Sequence, residues 1–168
     1  MRLIFLFLAA LFGAIACAPA VSNQSMGLVD PSLSFDMVVQ DPNRYSGHYV
    51  LVGGAVAAVR VGESGGSEVE VVQLPTDKRG RITSADRSAG RFLALDHAFR
   101  DPAIYYSGRL VTLVGRVAGS RVGELGGKEY RYPVLAVHEL RLWAPEEYPD
   151  SSPVRFGIGI GVGVFDWD

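Results

Sequence analysis

Cysteine and histidine are both scarce in this sequence. Its 168 residues include one cysteine, Cys17, and three histidines. One thiol cannot close an internal disulfide, and one ligand cannot hold a metal ion. The histidines, His48, His97 and His138, stand far apart, without the short spacing that places two of them on one metal. We therefore predict no metal site and no cofactor, and we expect His138, which lies among alternating apolar residues, to face the core.

Catalytic motifs and a strong net charge are missing as well. The sequence has no G-x-S-x-G elbow, phosphate-binding loop or dinucleotide fingerprint. The densest polar cluster, residues 96–101, is explained by capping and surface ion pairs. The formal net charge is only −2, so no overall field attracts nucleic acid. These features predict a protein that is not an enzyme and has no nucleic-acid partner.

The beginning of the chain is its longest apolar run. Arg2 is followed by 14 apolar or small residues, 3–16. A helix needs roughly 20 apolar residues to span a membrane, whereas a signal peptide needs about 7–15. We therefore predict that residues 1–16 are a signal peptide.

The position of Cys17 directly after this run indicates its role. Ala14-Ile15-Ala16-Cys17 resembles the lipobox of bacterial lipoproteins, whose cysteine is acylated and becomes the new N-terminus. Acyl chains anchor a protein because each buried CH₂ contributes about 0.8 kcal/mol. A chance cysteine in an ordinary signal peptide is the alternative. Because Ala18 is not aspartate, the resemblance to Gram-negative lipoproteins favours the outer membrane over retention in the inner membrane. We predict that the domain faces the periplasm.

Composition divides the rest of the chain into three parts. We predict a lipidated cysteine and tether over residues 17–29, a folded domain over 30–143, and a Pro-rich linker with a Gly-rich tail over 144–168. Glycine alternates with isoleucine and valine near the end of the tail. That segment is an added edge strand, a partner-binding strand or a disordered tail. We predict that residues 156–165 are an interaction element for an envelope protein or for self-association.

A repeated pattern in the domain predicts its fold. Residues 41–47 and 101–108 both begin with Asp-Pro and end with glycine, as a capped one-turn helix does. Each precedes a valine-rich strand, a Gly-Gly turn and a return strand. The predicted pairs are residues 48–61 with 68–74, and 109–122 with 129–143.

The segments between and before these pairs complete the predicted architecture. Residues 91–95 form a third strand, 96–107 a short helical crossover, and 32–40 an N-terminal helix. Mid-strand glycines, Gly53, Gly54 and Gly115, permit sharp bends. The order hairpin, strand, helix, hairpin predicts a mainly β fold, a small OB-like five-stranded barrel over residues 36–143. A sandwich or an open sheet is the alternative.

One segment is a candidate anion-binding loop. Residues 77–91 contain two aspartates and five basic residues, Lys78, Arg79, Arg81, Arg87 and Arg91. Nucleic-acid binding is not favoured because no aromatic stacking platform lies nearby. Phosphates of lipids or lipopolysaccharide are the anions that an envelope protein meets. A solvated loop is the alternative.

The chain resembles the Slp family of outer-membrane lipoproteins. Beyond the lipobox, the resemblance covers about residues 36–143. The matching motifs are Pro42…Tyr45-Ser46-Gly47, Ser88-x-Gly-Arg-Phe92, Leu110-Val-Thr-Leu-Val-Gly115, and Tyr130-Arg-Tyr-Pro-Val134 with Arg141-Leu-Trp143. The resemblance implies no catalytic residues and a structural or stress-related role in the envelope. The alternative is an envelope binding module for a saccharide or a lipid headgroup.

Overall fold

Five strands and two short helices make up the domain. The computed structural model describes residues 19–62 and 65–147; the signal peptide, Cys17 and the tail segment 156–165 lie outside these ranges. The elements are α1 (Asn23–Met26), α2 (Phe35–Gln40), β1 (Tyr49–Val61), β2 (Ser67–Leu74), β3 (Arg91–Asp96), β4 (Leu110–Leu125), β5 (Lys128–Leu142) and a final 3₁₀ turn (Pro145–Glu147).

The strands close into a barrel in the order β1-β2-β3-β5-β4. All neighbours are antiparallel except β3 and β5, which are parallel. This is the arrangement of the predicted OB-like barrel, and both predicted hairpin pairs are present. The prediction of a mainly β, five-stranded barrel is confirmed.

A long, bent β1 makes closure possible. Residues 49–55 of this strand pair with β4, while residues 53–61 pair with β2. Gly54 lies in the shared part, where an added Cβ would stand 2.3 Å from the backbone oxygen of Val72. Glycine is required there because the neighbouring backbone approaches too closely for any side chain. Gly115 lies at a register shift between β4 and β5, which agrees with the irregularity predicted at the mid-strand glycines.

The interior of the barrel is filled with aliphatic side chains and one phenylalanine. Helix α2 packs against it through Phe35 and Val38, and the Phe35 ring lies 5.3 Å from that of Phe92. Burial of each such side chain stabilises the fold by about 1.5–3 kcal/mol. The fully buried set includes Val50, Val52, Val56, Val69, Val71, Phe92, Val111, Leu113 and Leu135.

The predicted helical crossover is wrong, since residues 97–108 contain only bends and turns. The predicted caps are nevertheless present. The side chain of Asp101 accepts the Ala103 N–H at 2.8 Å, and Gly108 has a φ of 91°. The left-handed glycine ends the turn after one set of hydrogen bonds, before a helix can propagate. The Asp-Pro turn at residues 41–47 is built alike. Helix α2 is shorter than predicted because Ser34 is its N-cap.

The inward orientation predicted for His138 is also wrong. The side chain of His138 is exposed, and its ring packs edge-on against Tyr49 with centroids 5.9 Å apart. The register of β5 shifts at this point, from Glu139 opposite Val114 to Val137 opposite Gly115. His138 is therefore the extra residue of a β-bulge, which breaks the alternation on which the prediction depended.

Candidate functional site

The segment before α2 is attached to the barrel. Residues 19–29, here called the N-terminal strap, begin the described part of the chain. Ala20 and Val21 are buried, and Ala20 packs in an apolar cluster with Leu74, Leu110 and Trp143. The predicted free tether over 17–29 is therefore corrected for this part, because from Ala20 onward the chain lies against the domain.

A carboxylate on β5 holds the strap. The backbone N–H of Ser22 donates to Glu139 at 2.9 Å, its hydroxyl donates at 2.6 Å, and the hydroxyl of Ser25 donates to the same carboxylate. Partial burial raises the pKa of Glu139, but these hydrogen bonds outweigh it, so the pKa lies below its usual value. The charged form of Glu139 therefore stabilises the attachment of the strap.

The strap also contacts the predicted anion-binding segment. The Ala20 N–H donates to the backbone oxygen of Arg79 at 2.8 Å. Residues 76–82, here called the basic hairpin, are closed by a bridge between Thr76 and Ile82. At the tip, one oxygen of Asp77 accepts the N–H groups of Arg79 and Arg81 at 2.8 and 2.9 Å. The first residues of the strap and the basic hairpin therefore lie side by side.

A buried polar contact fixes the hairpin on the barrel. Gly80 is buried with a φ of 79°, and its backbone oxygen accepts the hydroxyl of Thr112 at 2.7 Å. The indole N–H of Trp143 donates to the same hydroxyl at 3.0 Å. Because Thr112 and Trp143 are themselves buried, the position of the hairpin is determined by the core.

The structure separates the five predicted anion-binding residues into two groups. Arg91 lies at the start of β3 and forms an ion pair with Glu70 at 2.7 Å. The other four are exposed, and in the described ranges they form no ion pair within 4.0 Å; they are Lys78, Arg79, Arg81 and Arg87. Arg91 is thus tied to a carboxylate, whereas the remaining basic side chains face solvent.

A broad groove lies between the strap, α2 and the loop from β2 to β3. Its volume is about 890 Å³. Lys78 and Arg87 line it together with the apolar side chain of Leu33 and the carboxylates of Asp30 and Asp36. Asp30 is engaged by Ser32 and His48, and these hydrogen bonds lower its pKa. The groove offers donors, acceptors and apolar surface, which is the chemistry that a saccharide or a lipid headgroup requires.

The outer face of β2 and β3 carries a second charged cluster, which sequence reasoning missed. Glu70 is buried and contacts Arg91 and Arg60, while Glu68 pairs with Arg60 at 3.2 Å and with Arg121. This face of OB barrels often binds oligonucleotides and oligosaccharides. Here its charges are matched within the chain, and the depression between them measures only about 240 Å³. The alternation of Glu68 and Glu70 with valines was the available signal.

The polar cluster at residues 96–101 has the structural role that the sequence predicted. Asp96 accepts the Ala98 N–H at 2.9 Å and the Arg100 Nε at 2.8 Å. Burial works against the charge of Arg100, but the hydrogen bond and the charge of Asp96 raise its pKa above its usual value. Arg100 also donates to the hydroxyl of Tyr105. The cluster stabilises the connection from β3 to β4.

Neither a group of metal ligands nor a membrane-spanning helix occurs within residues 19–62 and 65–147. In these ranges, no three His, Cys, Asp or Glu side chains are grouped as a metal ion would require. No helix in the same ranges has the length and hydrophobicity to cross a bilayer.

The sequence of residues 15–162 matches the Outer membrane lipoprotein Slp family. Two relatives come from Escherichia coli K12. An uncharacterised lipoprotein, YeaY, is 32% identical over 113 residues, which cover 67% of this chain and 58% of that protein. The outer membrane protein Slp is 26% identical over 149 residues, which cover 88% of this chain and 78% of that protein.

Two solved structures are distantly similar. They are single-stranded DNA-binding proteins, the mitochondrial protein Rim1 of S. cerevisiae and a small protein of Streptomyces coelicolor. Their sequence identities are 16% and 12%, and they cover 56% and 58% of this chain and 92% and 95% of their own. With TM-scores of 0.32 and 0.35, neither likeness carries an argument about this chain.

Proposed function

This chain belongs to the outer membrane lipoprotein Slp family, and from that premise we propose that acylated Cys17 anchors a non-catalytic envelope protein. The family match includes Cys17 and the whole barrel. The chain spans 58% of the length of YeaY, so we assign to it neither the activity nor the partners of that whole protein. The role proposed for the barrel is structural or stress-related, with the domain in the periplasm.

The filled interior of the barrel is the observation that carries this proposal. The inward side chains of all five strands are packed valine, leucine and phenylalanine, with no polar group arranged for chemistry among the described core residues. The ion pairs on the outer face connect neighbouring strands and so serve the fold. A packed barrel with a short acylated N-terminus is suited to hold a rigid surface at the membrane.

Fractionation of envelopes tests the anchor. Cys17→Ser removes the acylation site, and we expect the variant to disappear from the outer-membrane fraction. Ala18→Ser is the matched control, since it changes the next residue and keeps the thiol, and it should remain membrane-bound. The intact mass of the membrane-bound protein should equal residues 17–168 plus a diacylglyceryl group and an acyl chain. Unmodified protein free in the periplasm contradicts the proposal.

A binding module for a saccharide or a lipid headgroup is the second candidate, and the groove favours it. Lys78 and Arg87 of the loop line the groove together with the carboxylates of Asp30 and Asp36. Titration of the full chain with glycerol 3-phosphate tests whether the groove binds a lipid headgroup. Binding that is weakened at least about tenfold by Lys78→Gln with Arg87→Gln supports it, since phosphate contacts depend on such charges. The control is Arg131→Gln, an exposed arginine of β5, which should bind as the wild type does. Absence of saturable binding would exclude the headgroup reading.

The tail segment 156–165 is proposed as the element for self-association or contact with an envelope protein. Its alternating glycines and aliphatic residues expose an unpaired strand edge if it is extended. Truncation after Pro153 should leave thermal unfolding nearly unchanged and reduce crosslinking to neighbours. A fall in melting temperature of more than about 8 °C would show that the tail belongs to the barrel.

A further inference from the structure

The attachment of the strap limits the distance between the anchor and the barrel. Cys17 lies three residue steps before Ala20, with Ala18 and Pro19 between them, and Ala20 is buried and hydrogen-bonded to Arg79. Three residues of fully extended chain reach at most about 11 Å. With Cys17 acylated as proposed, the length of this chain segment keeps the anchor near the basic hairpin and holds the barrel close to the bilayer.

The hairpin that lies nearest to the anchor presents an excess of positive charge. Lys78, Arg79 and Arg81 are exposed, whereas Asp77 is the one carboxylate among residues 76–82. Asp77 already accepts two backbone N–H groups of the hairpin. The neighbouring carboxylates of Glu139 and Glu147 are engaged by the strap serines and by Arg141, respectively. The hydrogen bond from the Ala144 N–H lowers the pKa of Glu147, and the charge of Arg81 also lowers it. In the described ranges, however, none of the three basic side chains forms an ion pair within 4.0 Å, so they are available to an external anion.

We propose that the basic hairpin docks on the phospholipid headgroups of the leaflet that holds the anchor. Lys78, Arg79 and Arg81 would contact lipid phosphates and fix the orientation of the barrel on the membrane. This inference rests on the proposed acylation of Cys17. The lipid surface is the occupant because the anchor is within about 11 Å of Ala20, which is hydrogen-bonded to the hairpin, and because the charges are complementary.

The experiment uses the full, acylated protein in vesicles that contain phosphatidylglycerol. Arg79→Cys introduces the only free thiol, since the sulfur of an acylated Cys17 is blocked, and it leaves Lys78 and Arg81 in place. A fluorophore at position 79 reports quenching by lipids that carry a spin label on the headgroup. The matched control is Val61→Cys, an exposed position at the far end of β1. It lies eight residues, about 26 Å of strand, from Gly53, which the basic hairpin contacts.

We expect quenching at position 79 to be at least about twice that at position 61, because the hairpin lies near the anchor and Val61 lies at the far end of β1. Each basic side chain near an anionic surface strengthens binding about fivefold. Lys78→Gln with Arg81→Gln should therefore reduce the quenching at position 79, and 0.5 M salt should reduce it in the labelled Arg79→Cys protein that keeps Lys78 and Arg81. The salt arm requires no further substitution, so a folding defect cannot mimic it.

Three results would overturn the inference, and they are distinguishable. Equal quenching at positions 79 and 61, with a mass that shows acylated Cys17, contradicts the docking and leaves the proposed function intact. Strong quenching at position 79 that neither salt nor the glutamine variant reduces contradicts the role of the three charges. A mass that shows unmodified Cys17 contradicts both the docking and the proposed anchor.

Discussion

Two groups of basic residues in the domain differ in their partners. On the strands and their connections, five arginines are within 4.0 Å of a carboxylate: Arg60, Arg91, Arg100, Arg121 and Arg141. On the loop from β2 to β3, four basic residues have no such partner in the described ranges: Lys78, Arg79, Arg81 and Arg87. In the first group the arginine side chains are tied to carboxylates of the fold, whereas in the second the basic side chains face solvent.

The partners explain why the first group is bound within the fold. The side chains of Glu70 and Asp96 are only 9% and 8% exposed, so each would be a buried, unmatched charge without its arginine. The loop has no buried carboxylate to neutralise, because Asp77 and Asp86 are both exposed and Asp77 accepts backbone N–H groups. Charge in the paired region is thus a requirement of stability, and charge on the loop is not.

Removal of a buried carboxylate should give the largest effect on stability. Glu70→Ala leaves Arg91 without its partner, and we expect the free energy of unfolding to fall by about 2 kcal/mol. The melting temperature of the full chain should fall by about 6–10 °C. Glu124→Ala is the control, since Glu124 is exposed and its side chain has no ion pair in the described ranges; it should change little. A loss equal to that of the control would show that pairing does not stabilise this face.

Loss of the charge on Glu139 should have a smaller, local effect. Its folded pKa is lowered, so its contribution is present above the unfolded value near 4.5 and is lost as the pH falls through the folded value. Acid should therefore loosen the strap and accelerate amide hydrogen exchange in α1 before the barrel unfolds. Ser22→Ala with Ser25→Ala should produce the same loosening at neutral pH, at a cost of about 1 kcal/mol.

The control for the strap prediction is Ser46→Ala, an exposed serine in the turn before β1, which should exchange as the wild type does. Exchange in α1 that is insensitive both to acid and to the double serine variant would mean that Glu139 does not hold the strap.

Substitution of the loop should have the smallest effect on stability. Lys78→Gln with Arg79→Gln and Arg81→Gln removes three exposed charges, and we expect a change in the free energy of unfolding within about 0.5 kcal/mol. Chemical denaturation of the full chain in detergent measures it. Destabilisation as large as that of Glu70→Ala would show that the loop charges stabilise the fold as the paired charges do.

The parts of the structure that were predictable are those with local signals. Alternating valines identified the strands, and the Gly-Gly pair at 126–127 adopts φ values of 60° and 76°, as a tight hairpin turn requires. Other features depend on residues far apart in the sequence. Ser22 and Glu139, which are in contact, are 117 positions apart in the sequence. The local sequence of the strap therefore predicted only a free tether. Glu70, the partner of Arg91, lies on a neighbouring strand. From the sequence alone, Arg91 was therefore assigned to the basic residues of the loop. The alternation of apolar residues around His138 gives no sign of the β-bulge there.

Hydrogen exchange of the acylated full chain tests most directly whether the two groups of basic residues serve different purposes. Exchange is compared between vesicles that contain phosphatidylglycerol and neutral detergent micelles. We predict slower exchange in the vesicles for residues 76–82, and unchanged exchange for β2 and β3, which carry Glu68, Glu70 and Arg91. Unchanged exchange at residues 76–82, or protection spread equally over both regions, would contradict the account.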